Sequence, residues 1–115
     1  MKEKSPRINK VAFVDLSLKK AFEELMLGKF EDKELAESIQ LAIDNLKENP
    51  LRGIRIPSKQ WPKEYIQKYS INNLRKYDLR NSWRLIYTIK GNELEIVSVI
   101  LEWFSHKEYE RRFDY

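Results

Sequence analysis

Two apolar runs near the C-terminus dominate the pattern of the chain, residues 83–89 (WRLIYTI) and 94–104 (LEIVSVILEWF), both rich in β-branched and aromatic side chains. A polar break containing Gly91-Asn92 separates them, which is a hairpin signature. A two-residue turn with Gly91 at positive φ sets Lys90 opposite Glu93, Tyr87 opposite Ile96 and Arg84 opposite Val99. Strand alternation then lines one face with Trp83, Leu85, Tyr87 and Ile89, and the other with Arg84, Ile86 and Thr88. Residues 74–79 read as a further strand, entering the hairpin through the polar turn Arg80-Asn81-Ser82.

Upstream, residues 8–14 read as a strand that is central or next to an edge. Ser17 is a candidate N-cap for a helix over 18–27, in which Leu18, Ala21, Phe22, Leu25 and Met26 share a face until Gly28 stops it. Asp32 caps a second helix over 33–48, with Leu35, Ile39, Ala42, Ile43 and Leu46 at helical spacing and Asn49-Pro50 as its end. Residues 50–71 are the least regular, with room for a short strand at 53–56 and a turn of helix at 63–69; Trp61, beside Pro62, is expected to anchor this loop on the core. The predicted fold is α+β: a small antiparallel sheet of four or five strands in the order β-α-α-β-β-β. An αα-hairpin packs on one face and leaves the other concave and basic.

At 115 residues and 42% hydrophobic, the chain makes a single domain with a modest core. The absence of cysteine removes disulfides, thiolate metal sites and thiol nucleophiles. Neither a signal-peptide core nor an apolar run of roughly 18 residues is present, so a cytoplasmic protein with no membrane partner is expected. The net charge of +4 conceals a division: residues 31–48 hold six acids against two lysines, and residues 49–90 ten bases against two acids. Such a division favours a polyanionic partner, although a solvated, charge-rich surface has the same composition. Within 50–71, Trp61, Tyr65 and Tyr69 alternate with Arg52, Arg55, Lys59, Lys63 and Lys68, a mixture suited to single-stranded RNA and equally to ordinary loop packing. There is no glycine-rich phosphate loop, and the single histidine and scattered carboxylates have no metal-ligand spacing.

Arg84 stands out because a guanidinium among apolar strand neighbours must reach solvent, a carboxylate or an anion. Asp78 and Glu102 are the candidate structural partners; phosphate is the functional one, since bidentate anion recognition suits Arg. His106, the only histidine, follows the last strand directly, with Lys107, Tyr109, Arg111 and Arg112 close behind. Histidine is the side chain best suited to exchanging a proton near neutrality. With Arg84, Lys76 and Arg75 or Lys107 to neutralise a phosphorane, and Asp78 as a second acid–base group or as the orienter of Arg84, these residues suffice for RNA cleavage by its own 2′-hydroxyl without a cofactor.

The segment Trp83-Arg84-Leu85-Ile86-Tyr87, together with His106-Lys107-Glu108-Tyr109, resembles the RelE/ParE toxin superfamily of type II toxin–antitoxin systems, and within it the RNA-cleaving RelE, YoeB and YafQ toxins. The likeness covers residues 74–113 well and the rest loosely. It implies a metal-independent mRNA endoribonuclease, with or without the ribosome, held in a hetero-oligomer by a cognate antitoxin. By this resemblance Arg84 contacts the scissile phosphate, Lys76 is the strand lysine, His106 the tail histidine and Tyr109 the tyrosine that stacks on the substrate base. Arg75, Arg80 and Lys107 are the remaining substrate-binding candidates. Asp78 stands where RelE-type strands prefer a second base. Two other readings stay open: a ParE-like gyrase-directed toxin, and a non-catalytic relative that binds RNA or an antitoxin.

Overall fold

The computed structural model describes residues 7–113. Strand β1 (Ile8–Phe13) leads into an antiparallel pair of helices, α1 (Leu16–Met26) and α2 (Phe30–Glu48); then come β2 (Ile54–Arg55), α3 (Lys63–Tyr69), β3 (Arg75–Asp78), β4 (Arg84–Gly91), β5 (Glu95–Phe104) and α4 (His106–Arg112). The α+β class, the helical hairpin and the succession of C-terminal strands agree with the pattern. The sheet has five strands in the order β1-β5-β4-β3-β2 and is mixed: β1 lies parallel to β5, and every other pair is antiparallel. Orientation of β1 depends on where the α1–α2 excursion returns the chain, which strand alternation does not encode. Asp15, two residues before the expected cap, begins α1 by accepting from the Leu18 N–H at 2.9 Å.

The β4–β5 hairpin is longer at its turn than the two-residue model. Gly91 pairs with Ile96, Tyr87 with Ile100 and Arg84 with Phe104, with a bulge between Ile86 and Tyr87. Asn92 builds the turn: its side-chain oxygen accepts from the N–H groups of Leu94 and Glu95, and its own N–H bonds the Glu95 carbonyl. Gly91 is not at positive φ; a Cβ there would come within 2.9 Å of the Glu95 carbonyl oxygen, so close backbone passage explains the glycine. Tyr87 is displaced by four residues from its expected partner. At Arg84 the displacement is five, and the bulge takes up the odd step, so the assignment of side chains to faces survives although the register does not.

On the first face Leu85, Tyr87 and Ile100 pack with Phe22, Ile39 and Leu46 from α1 and α2. The expectation of an open, concave second face is overturned. Helices α3 and α4 cover it, and Ile56, Tyr65, Leu74, Ile86, Leu101 and Phe113 form a second apolar core. The reason is in Ile86 and Leu101, which are fully buried only if something covers them. Trp61 anchors its loop as expected, donating from Nε1 to the Ile56 carbonyl at 2.8 Å. No helix among the described residues is long and apolar enough to cross a membrane.

Candidate functional site

The antiparallel pairing of β3 with β4 sets Asp78 beside Arg84 and Lys76 beside Ile86, all directed to the second face. The turn between them runs through Asn81 and Ser82 at φ 57° and 64°, and its Ser82 carbonyl accepts from Arg84 Nη1 at 3.0 Å. At the end of β5, Ser105 caps α4 by accepting from the Glu108 N–H at 3.2 Å, which brings His106 over Arg84. Three segments thus meet at one corner of the sheet.

Arg84 occupies its centre. Its Nε lies 3.1 Å from Asp78 Oδ1, close enough for an ion pair but out of line for a hydrogen bond. Its Nη2 lies 3.1 Å from His106 Nδ1. Because a guanidinium only donates, Nδ1 must offer its lone pair, and the ring proton sits on Nε2, 3.3 Å from Glu110 Oε2. A chain of contacts therefore runs Asp78, Arg84, His106, Glu110. Arg84 is 15% exposed and Asp78 59%, so solvent screens the pair and it contributes at most about 1 kcal/mol. Of the two carboxylates considered for Arg84, Asp78 is the partner.

Tyr109 forms the floor. Its ring is 1% exposed and stacked on Phe113 at 4.5 Å, with Lys76 Nζ 5.1 Å and the Arg84 guanidinium carbon 6.0 Å from its centre. A base cannot stack on a ring so covered, and the stacking role implied by resemblance does not fit this conformation. The ring instead holds two cations near one another. Lys107 is exposed on the first turn of α4. Arg75 and Arg80 belong to the other face. Arg75 donates to the carbonyls of Leu51 and Gly53 at 3.1 and 2.7 Å, while Arg80 pairs with Glu37 at 3.6 Å. Arg75 tethers the same turn that Tyr87 holds by donating to the Pro50 carbonyl and accepting from the Gly53 N–H; burial pushes that phenol's pKa up.

Two features were not anticipated from the sequence. Glu110 is one; the i,i+4 spacing His106–Glu110 signals it once residues 106–112 are read as a helix. The other is a network behind the site, where Tyr65 donates to Glu102 Oε2 at 2.5 Å. Arg112 lies 3.8 Å from the same carboxylate, 3.6 Å from Glu64 and 3.3 Å from Glu108, and stacks 4.7 Å over Phe104. Burial, reinforced by Glu102, pushes the Tyr65 phenol far above its ordinary range. The hydrogen bond from Arg111 holds the Glu108 carboxyl below its usual range. The network ties α3, β5 and α4 together and so seats His106.

Chemically, the corner brings together a guanidinium, an ammonium and an imidazole whose Nδ1, now accepting from Arg84, can take a proton once Arg84 turns away. Comparison with family models, with curated proteins and with solved structures returned no match to this chain.

Proposed function

We propose that this chain is a RelE-like toxin of a type II toxin–antitoxin pair, an endoribonuclease that cleaves mRNA without a metal ion. The observation that carries the reading is the convergence of Arg84, His106, Lys76 and Asp78 on one corner. A phosphodiester arriving there competes with Asp78 for Arg84. The ion pair, exposed on its Asp78 side, and one hydrogen bond that it must displace oppose it by about 1–2 kcal/mol, less than a bidentate phosphate contact returns.

Once Arg84 grips the phosphate, His106 Nδ1 is released to take the proton of the 2′-hydroxyl. Glu110 on Nε2 orients the ring and stabilises the imidazolium that forms. The 2′-oxygen bonds to phosphorus, the P–O5′ bond breaks, and the departing 5′-oxygen takes a proton from the Lys76 ammonium. A 2′,3′-cyclic phosphate and a free 5′-hydroxyl result. An acidic amphipathic segment of an antitoxin would silence the site by occupying the same cations.

One observation favours a second reading, a relative that binds without cleaving: Arg84 is engaged internally on all sides, and the second face is covered rather than open. Inducible expression with mapping of transcript ends separates the two. Arg84→Ala is expected to reduce new 5′ ends by about 10²–10³, the loss typical of one preorganised donor. Cleavage by purified protein is expected to persist in EDTA. If the wild type generates no new ends, or EDTA abolishes them, the metal-independent nuclease is refuted.

A further inference from the structure

A cleft of about 520 Å³ lies on the first face, away from Arg84. It opens between the tip of the α1–α2 hairpin and the turn that joins β3 to β4. Its walls are the half-buried indoles of Trp83 and Trp103 with Leu25 and Leu35, and its rim carries Glu31 and Asp32. Two further charges at the rim are already satisfied: Asn81 donates to Glu34 at 2.9 Å, and Arg80 is drawn to Glu37. Glu31 and Asp32 have no such partner among the described residues. Their place in the first turn of α2 suits the helix dipole, but that does not explain two indoles left half open beside them.

Aromatic walls beneath unpaired carboxylates are suited to an organic cation, through ring faces and ion pairing together. The surroundings say what carries that cation. Leu27 is 86% exposed and Phe30 68%, with Met26 beside them, so the hairpin tip next to the cleft carries exposed apolar side chains. Nucleic acid is repelled by the carboxylates, and a small cation would leave the apolar surface uncovered.

We infer that this cleft is a docking site for a partner protein's helical segment that presents one arginine or lysine between apolar side chains. The cation enters between Trp83 and Trp103 toward Glu31 and Asp32, and the flanking apolar residues cover Leu27 and Phe30. The geometry follows the helix-in-groove mode, with aromatic residues as the energetic centre. This surface is on the opposite face from the proposed RNA site and stands whether or not Arg84 supports cleavage.

The test uses two synthetic twelve-residue helical peptides of Ala and Leu that differ only in one central residue, Arg in one and Glu in the other. Binding is followed by the indole N–H signals in ¹H–¹⁵N spectra of the whole protein. Trp61, bonded to the Ile56 carbonyl on the other face, is the internal control. The Arg peptide is expected to shift Trp83 and Trp103, leave Trp61 unmoved, and bind about tenfold tighter than the Glu peptide, as one cation–π contact with ion pairing would give. The double variant Glu31→Gln, Asp32→Asn, altering exposed side chains only, should remove that preference. Equal binding of the two peptides, or no movement of Trp83 and Trp103 at millimolar peptide, overturns the inference. So does a shift that follows protein concentration alone, which would make the face a self-association surface.

Discussion

Replacing Tyr65 by Phe removes one oxygen from the network that seats α4 and leaves Arg84 and His106 untouched. The phenol is fully buried, and its partner Glu102 keeps an ion pair with Arg112, so the carboxylate is not stranded by the change. A hydrogen bond to a charged group contributes about 1.5–3 kcal/mol, and the residual pairing of Glu102 argues for the lower half, about 2 kcal/mol at pH 7. The pH dependence is sharper. The Tyr65 pKa is raised in the folded state, first by burial and then by Glu102, so above the ordinary tyrosine pKa the unfolded chain gives up this proton while the folded chain retains it. The unfolded state then binds fewer protons, and stability falls as pH rises, by about 1.4 kcal/mol per pH unit beyond ~10. Tyr65→Phe lacks that loss. The raised pKa values of Tyr69 and Tyr87 are common to both proteins and cancel in the difference. Urea unfolding of both proteins between pH 7 and 11.5 should therefore show a gap of about 2 kcal/mol that closes in the last pH unit and a half. A gap that stays constant to pH 11.5 would mean that the phenol ionises equally in both states and that the buried network is misjudged.

The remaining predictions concern the corner itself. His106→Gln should lower cleavage by about 10²–10⁴. Glu110→Gln, which breaks only a half-exposed contact of at most about 1 kcal/mol, should cost no more than about fivefold and should shift the pH–rate profile, a change that a purely structural role would not produce. Equal loss in both variants would count against His106 as the proton acceptor. Arg75→Ala should cost about 1–3 kcal/mol of stability, read in urea unfolding, because two carbonyls lose their donor, while leaving cleavage of the folded protein within a few-fold of wild type. If cleavage falls as far as in Arg84→Ala with the fold intact, Arg75 belongs to the site after all.

How much of this was legible depends on whether a signal was local. The apolar stripe of α2 and the alternation of β4 are written in consecutive residues, and both elements were found. The Arg80-Asn81-Ser82 turn was legible for the same reason. The parallel pairing of β1 with β5 joins residues nearly ninety positions apart, and no local pattern specifies it. The hairpin register failed because the Asn92 turn and the Ile86/Tyr87 bulge are each compatible with several partners. The covering of the second face was legible in principle. Ser105-x-x-Glu108 is a capping-box sequence, and Tyr109 and Phe113 lie four apart, so a final helix with a buried stripe was there to be read.

That helix decides how the candidate residues can cooperate. On α4, His106 and Glu110 share one side, while Tyr109 and Phe113 share another that faces the second core. An extended tail could offer both His106 and Tyr109 to a substrate, but a helical one cannot. With α4 docked, His106 reaches Arg84 because Tyr109 is buried, and a base that claimed the Tyr109 ring would have to unseat the helix and take His106 away from Arg84. Under the proposed nuclease reading, proton transfer and base stacking therefore fall to different groups: His106 remains with the docked helix, and any base contact must come from outside the second core. Lys107, exposed on the first turn of α4, is available for the phosphate backbone on that side.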